Sequence, residues 1–87
     1  MYIIMVYEIN EKRVNKVLKI GREYLTWVQN SVLEGEITDA KFFKMKQELK
    51  KVKKNGEDSI IFYIFNSKLY TNREIMGREK GKGEFII

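Results

Sequence analysis

Apolar residues fall into a few short runs along the chain, separated by stretches in which they recur at helical spacing. Two runs, Tyr2–Tyr7 and Ser59–Phe65, are rich in β-branched and aromatic residues, which is typical of buried strands. Between them, the periodicity predicts one helix over Lys12–Leu25 and a second over Asp39–Lys54. The predicted order is therefore strand, helix, an extended segment, helix and strand.

Each predicted helix has an apolar stripe and a recognisable start. Asn10 and Thr38 are the expected N-caps, and Asn55-Gly56 is expected to end the second helix. The residues opposite the stripes are mostly lysines. The stripe of the first helix consists of Val14, Val17, Leu18, Gly21, Tyr24 and Leu25, and that of the second consists of Phe42, Met45, Leu49 and Val52.

The segment Thr26–Ile37 does not fit one regular strand. Its apolar pairs Trp27-Val28 and Val32-Leu33 do not follow the alternation of one regular strand. The positions that should face inward therefore shift by one residue across Gln29-Asn30. Because side chains alternate strictly along a strand, the segment is either a strand with a bulge or a tight hairpin. The pattern leaves both alternatives open.

The C-terminal part is predicted to add strands to the sheet. Leu69–Ile75, after a turn at residues 66–68, is expected to be an antiparallel partner of the preceding strand. The Gly-rich, charged stretch Gly77–Gly83 is expected to be a loop. The apolar tail Glu84–Ile87 is expected to be a short strand that pairs with a partner subunit or a partner protein.

These elements predict one domain over residues 1–87, since domains rarely fall below about 50 residues. The fold class is α+β: a ferredoxin-like two-layer sandwich, with a mostly antiparallel sheet and two helices on one face. Both buried strands are apolar on both faces, so the helix-free face of the sheet should be covered as well. We expect a homodimer through the sheets; the alternative is that the C-terminal tail folds back over its own sheet.

The composition restricts the available chemistry. The chain contains no Cys, no His and no Pro, which excludes disulfides, zinc sites built on thiolate or imidazole, and Ser-His or Cys-His catalysis. Any metal would be a hard cation held by oxygen, and any general base a carboxylate, Lys or Tyr. The absence of Cys fits a cytoplasmic protein, and the longest apolar run, Met1–Tyr7, is too short to span a membrane.

The net charge of +5 is unevenly distributed. Residues 41–54 contain seven lysines and one glutamate, and residues 11–23 contain five basic and two acidic residues. Such a surface suits the phosphates of duplex DNA, whereas the plain alternative is a solvated face of the helices. Phe43, set among lysines, could stack on a base or pack at an interface. The predicted nucleic-acid-binding residues are Lys12, Arg13, Lys16, Lys19, Lys44, Lys51, Arg73, Arg78, Lys80 and Lys82.

Glu8, where the first strand ends, is the candidate catalytic and metal-binding residue. One carboxylate is a poor Mg²⁺ site, because this ion requires several oxygens in octahedral geometry. If a dimer axis passes nearby, two Glu8 side chains could hold one Mg²⁺ per dimer, which would activate a water against a phosphodiester. Ser31 and Arg13 are the expected neighbours that orient phosphate, and Arg13 would do so through its bidentate fork.

Several of these residues together resemble the CRISPR-associated protein 2 family. They are the strand end Val6-Tyr7-Glu8-Ile9, the helix start Glu11-Lys12-Arg13, the segment Gln29–Gly35 (Gln-Asn-Ser-Val-Leu-Glu-Gly) and Asp58-Ser59 before an apolar strand. The resemblance covers nearly the whole chain. Its most specific part is the stretch Trp27–Gly35 together with the acidic residue at the strand end.

The resemblance implies a ferredoxin-like homodimer that takes part in CRISPR adaptation, the acquisition of spacers for antiviral defence. In that role the dimer bridges the CRISPR integrase (CRISPR-associated protein 1) and supports duplex DNA. The family is also described as metal-dependent endonucleases acting on RNA or DNA, with an Asp at the strand end. Here Glu8 replaces that Asp, and Leu33 stands where Phe is common. The extra methylene of Glu displaces a metal ligand by about 1 Å, a shift that can cost much activity.

Three interpretations follow. The main one is a dimeric adaptor of CRISPR adaptation, with at most residual Mg²⁺-dependent endonuclease activity. The second is a Mg²⁺-dependent endoribonuclease or endodeoxyribonuclease centred on paired Glu8. The third is a toxin-like, RNA-binding dimer with the same fold.

Overall fold

The structure of the protein is a computed structural model that describes residues 1–66, 76–79 and 84–86. Two helices and six strands are present in these ranges. In chain order they are β1 (Tyr2–Glu8), α1 (Val14–Tyr24), β2 (Thr26–Gln29), β3 (Val32–Glu36), α2 (Asp39–Val52), β4 (Ser59–Phe65), β5 (Gly77–Glu79) and β6 (Glu84–Ile86).

The first four strands form one antiparallel sheet in the order β2-β3-β1-β4. This order, with α1 between β1 and β2 and α2 between β3 and β4, confirms the predicted ferredoxin-like α+β sandwich. The central strand β1 points Ile3, Met5 and Tyr7 toward the helices, where all three are buried. Strand alternation directs the other β1 side chains, including Glu8, to the helix-free face.

The two helices cover the sheet with the stripes that the sequence predicts. Val17 and Gly21 are buried in α1 and Leu25 directly after it, and Phe42, Met45 and Leu49 are buried in α2. Thr38 caps α2 by accepting a hydrogen bond from the Lys41 backbone N–H (3.2 Å). The predicted N-cap of the first helix is wrong: α1 begins at Val14 with Arg13 as its N-cap and no side-chain cap. Asn10 instead stabilises the preceding turn, since its side-chain oxygen accepts from the Lys12 backbone N–H (2.9 Å).

Gly21 and Leu33 are where α1 comes closest to the sheet. Leu33 is fully buried beneath the helix, and a Cβ placed on Gly21 would lie 3.0 Å from the Leu33 Cδ2. Real Cβ atoms seldom approach so closely, so a glycine here lets the helix pack at this distance without displacing the Leu33 side chain. The Leu33 side chain is therefore a core residue.

The ambiguous segment Thr26–Ile37 is a hairpin with an irregular register. β2 and β3 pair around Asn30 and Ser31, and the register shifts between Trp27 and Gln29. Asn30 has a φ of 41°, in the left-handed region that Asn tolerates better than most residues. The turn and the register shift together thus account for the break in the alternation of inward-facing residues.

The C-terminal part differs from the prediction where the structure describes it. Gly77–Glu79, expected within a loop, is β5, which pairs with β6 of the same chain. β5 also contacts β2 at the edge of the main sheet. The predicted strand Leu69–Ile75 lies outside the described residues, and the pairing of Glu84–Ile87 with another chain stays a prediction.

The helix-free face of the sheet is strongly apolar. Ile61 and Tyr63 of β4 lie on this face opposite Val6 and Ile4, and they are 49% and 51% exposed. An apolar sheet face of this kind is uncommon in monomeric proteins. Within the described ranges, neither helix is long and apolar enough to cross a membrane.

Candidate functional site

Glu8 lies at the end of β1 on the helix-free face, where its side chain is exposed. Its pairing partner across β4 is Ser59. On the other side, the Tyr7 backbone N–H donates to the Ser31 carbonyl oxygen (3.0 Å), so Ser31 lies beside the same strand end. The structure therefore places the backbone of Ser31 beside this strand end, in register with Tyr7, and it pairs Glu8 itself with Ser59, which the sequence indicates only as part of Asp58-Ser59.

Arg13, the other predicted catalytic residue, is bound to an acidic partner. Its Nε donates to the Asp58 Oδ2 (2.6 Å) and its Nη2 to the Asp58 Oδ1 (3.1 Å). Its Nη2 also lies 3.4 Å from the Glu57 Oε1. The bidentate fork predicted to orient phosphate is thus occupied by a carboxylate of the same chain. A phosphate role for Arg13 stays a prediction.

Asp58 is the central residue of this cluster, and its side chain is fully buried. Besides Arg13, it accepts hydrogen bonds from the backbone N–H groups of Asn10 and Lys54, both at 2.9 Å. The hydrogen bond from Arg13 is the largest of several causes that hold the pKa of the Asp58 carboxyl well below its usual range. Asp58 therefore fastens the turn before α1 to the loop before β4.

The metal prediction can be tested against the donor groups that one chain supplies. Among the described residues, no group of three acidic side chains lies close enough together to hold a metal ion. Glu8 supplies one carboxylate, with the hydroxyl-bearing residues Ser31 and Ser59 on either side of the strand end. A Mg²⁺ ion requires more oxygen ligands than this, so a site at Glu8 fits only if a second chain contributes its own Glu8.

The predicted nucleic-acid-binding lysines lie on the outer surfaces of the two helices. Lys12, Lys16 and Lys19 lie before or on α1, Lys44 and Lys51 on α2, and all five are exposed. Within the part of the chain that the structure describes, none of them forms an ion pair. Arg78 lies in β5, whereas Arg73, Lys80 and Lys82 fall outside the described residues.

Two cations lie over aromatic rings, and the sequence pattern indicates neither contact. The Arg22 Cζ is 5.5 Å from the centroid of the Trp27 ring, and the Lys46 Nζ is 4.3 Å from the centroid of Phe42. Arg22 precedes Trp27 by only five positions, but they lie on different elements, so helical spacing does not reveal the contact. Phe43 is 54% exposed on α2.

A hydrogen bond ties the two helices together on their facing sides. The Tyr24 hydroxyl of α1 donates to the Glu48 Oε2 of α2 (2.5 Å). This bond to a carboxylate raises the pKa of Tyr24 to about 12. Glu48 is the single acidic residue within 41–54, and its carboxylate accepts this hydrogen bond from α1.

Comparison with known proteins gives a consistent result over the whole chain. The sequence profile of the family described as CRISPR associated protein Cas2 matches residues 1–73. Proteins named CRISPR-associated endoribonuclease Cas2 from Dictyoglomus turgidum and Thermotoga maritima are each 54% identical over 87 residues, covering 100% of both chains. A crystal structure of Cas2 superimposes with a TM-score of 0.82 at 42% identity, covering 100% of this chain and 98% of the other.

Proposed function

The chain belongs to the CRISPR associated protein Cas2 family, and we propose that it serves in CRISPR adaptation as a dimeric adaptor. In this proposal the dimer binds duplex DNA and bridges the CRISPR integrase, CRISPR-associated protein 1, during spacer acquisition. The observation that carries the proposal is the set of exposed lysines on both helices that have no acidic partner among the described residues.

The size of the basic surface suits a nucleic-acid duplex. α2 has 14 residues and is therefore about 21 Å long. Duplex DNA presents one charge per about 1.7 Å of axis, so a helix of this length can face several phosphates. Contacts between lysines and phosphates carry no sequence information, so binding through them should be independent of sequence.

The proposed dimer places the basic helices outward. The apolar helix-free face, with Ile61 and Tyr63 half exposed, is the surface that a second copy would cover. Both helices lie on the opposite face of each sheet, so a dimer through the sheets would leave the lysines of both copies accessible. The duplex-binding surface would thereby be doubled.

The salt dependence of duplex DNA binding tests the adaptor proposal. We expect affinity to fall steeply between about 50 mM and 200 mM salt, because neutralised phosphates release counterions. Replacing Lys16 and Lys44 by Gln should reduce the slope of log K against log salt by about 0.9 for each phosphate that is no longer neutralised. Binding is measured by fluorescence anisotropy with a labelled duplex of mixed sequence.

Lys54→Gln is the matched control, because it removes the same charge from a lysine already paired with Glu57 (Nζ to Oε2, 2.7 Å). This variant should bind like the unaltered protein. Binding that is insensitive to salt, or equally weakened by Lys54→Gln and Lys16→Gln, would contradict the proposal.

A second candidate function is a Mg²⁺-dependent endonuclease acting on RNA or DNA. The names of the relatives, endoribonuclease Cas2, and the exposure of Glu8 favour it. Two Glu8 carboxylates, one from each copy, would hold the ion, which when bound would activate a water against a phosphodiester. Ser59, the register partner of Glu8, would supply a hydroxyl group on the same face, and Ser31 would orient the phosphate as the sequence predicts.

Cleavage of single-stranded RNA and of duplex DNA tests this candidate. We expect Glu8→Ala and chelation of Mg²⁺ each to abolish cleavage, and Glu8→Asp to raise it if the shorter side chain suits the ion better. Glu11→Gln is the control, because it removes an exposed carboxylate that lies near Glu8 in the chain and outside the proposed site, and its cleavage should be unchanged. Cleavage that persists in Glu8→Ala would remove the endonuclease from consideration.

A further inference from the structure

The exposed side of α1 carries a second cluster of polar and basic groups. Asn15, Lys19 and Arg22 follow one another at positions i, i+4 and i+7, so they lie along one line of the helix. Together with Leu18 they line a shallow depression. Asn15, Lys19 and Arg22 are exposed, and Leu18, which is partly buried, forms the apolar floor.

Arg22 is held at the end of this depression by an aromatic ring. Its guanidinium lies over Trp27, whose indole Nε1–H donates to the Asn30 carbonyl oxygen (2.9 Å). The hydrogen bond fixes the ring at the edge of the sheet. A cation–π contact uses the charge of a guanidinium and none of its N–H donors, so these donors can still bind another ligand.

The charge of this cluster is not neutralised within the described part of the chain. Neither Lys19 nor Arg22 has a carboxylate within 4.0 Å there, although Glu23 lies four positions after Lys19. Arg13 differs, since Asp58 and Glu57 occupy its donors. Arg22 is thus the arginine near α1 whose donors remain open to an external anion.

We propose that Asn15, Lys19 and Arg22, beside Trp27, form a phosphate-binding site for the backbone of duplex DNA. The inference rests on the proposed function, because the site would be one part of the proposed duplex-binding surface. A planar guanidinium, an ammonium and an amide donor are the groups that proteins use to contact phosphodiester oxygens. Strand β5, which carries Arg78, contacts β2 and so lies at the same edge of the sheet.

Trp27 gives a direct readout, because it is the only tryptophan in the chain. Because a phosphate bound to the Arg22 donors neutralises the cation that lies over the ring, the emission of Trp27 should change as a duplex of mixed sequence is added. We expect this change in the unaltered protein and not in Arg22→Gln. Arg22→Gln should also weaken duplex binding about tenfold at low salt and reduce the salt slope by about 0.9.

Two further variants separate the geometry of the guanidinium from its charge. Arg22→Lys keeps the charge but lacks the planar fork, so it should recover the salt slope and only part of the affinity. Lys54→Gln lowers the net charge by the same amount at a distant, already paired lysine, and it should leave both the affinity and the Trp27 response unchanged. Thermal unfolding of each variant confirms that it is folded.

The outcomes distinguish this inference from the proposed function. If Lys16→Gln weakens binding while Arg22→Gln binds like the unaltered protein, the site is overturned and the adaptor proposal stands. If Trp27 emission changes equally in Arg22→Gln, the duplex affects the ring by another route and the site is likewise overturned. If the unaltered protein binds no duplex at about 50 mM salt, the proposed function fails and this site fails with it.

Discussion

Arg13 and Arg22 lie nine positions apart, one just before α1 and one within it, yet their surroundings differ completely. Arg13 donates to a fully buried carboxylate, and its side chain is 19% exposed. Arg22 lies over the indole of Trp27 and is exposed, with no carboxylate nearby in the described residues. The first arginine stabilises the fold, whereas the second leaves its charge available to a ligand.

The difference follows from what each side chain meets across the fold. The turn before α1 packs against the loop before β4, where Asp58 is removed from water and needs a cation and hydrogen bonds to remain ionised. The C-terminal half of α1 passes over the edge of the sheet, where it meets an aromatic ring. A basic residue in a sequence therefore contributes to a binding surface only when no internal acid neutralises it.

Asp58→Ala should produce the largest effect of any change at either arginine. It leaves the Arg13 guanidinium and the backbone N–H groups of Asn10 and Lys54 without their buried acceptor. Breaking a buried, hydrogen-bonded ion pair from one side is among the most destabilising single changes. We expect Tm to fall by more than about 10 °C, measured by circular dichroism.

Glu57→Gln is the control for this change, because Glu57 contacts the same arginine from the protein surface, with its side chain 41% exposed. Exposed ion pairs contribute little, so its Tm should fall by only a few degrees at most. Equal effects of the two substitutions would show that burial of Asp58 does not distinguish the two pairs.

Low pH should weaken the ion pair between Arg13 and Asp58 and leave the contact between Arg22 and Trp27 unaffected. The pKa of Asp58 is lowered in the folded protein, so the carboxylate contributes stability above its ordinary pKa of about 4 and loses that contribution as the pH falls below it. We expect the free energy of unfolding to decrease below about pH 4, measured by urea titration. Asp58→Asn should make the free energy of unfolding less dependent on pH in this range. An unchanged pH dependence in this variant would contradict the role assigned to Asp58.

Arg22→Ala should have the smallest effect on stability. It removes a cation–π contact at an exposed position, which contributes less than about 1 kcal/mol to the free energy of unfolding. Urea unfolding measures the difference, with Arg13→Ala as the comparison. A larger decrease for Arg22→Ala than for Arg13→Ala would reverse the roles assigned to the two arginines.

The helices and the two long strands could be predicted because their signals are local. The bounds Ser59–Phe65 and the Thr38 cap agree between the prediction and the structure. The hairpin could not be distinguished from a bulged strand, because the deciding feature is the positive φ of Asn30. A residue pattern allows that conformation without requiring it.

The site could be predicted only in part, because its contacts join residues far apart in the chain. Glu8 is recognisable as the acidic end of an apolar strand, and the lysines follow from helical spacing. The pairing of Arg13 with Asp58 spans 45 positions. That contact decides whether Arg13 can meet a phosphate, and only the arrangement of the elements reveals it.

The close approach of Gly21 to Leu33 sets the distance between the sheet and α1, the helix that carries part of the basic surface. The Leu33 methyl groups occupy the space that a side chain at position 21 would need, so the axis of α1 rests on them. A bulkier residue at position 33 would lift or tilt the helix, and Lys16, Lys19 and Arg22 would move with it as one rigid body. The volume of the buried residue 33, which no ligand contacts, therefore determines how these basic side chains align with the phosphates of a bound duplex.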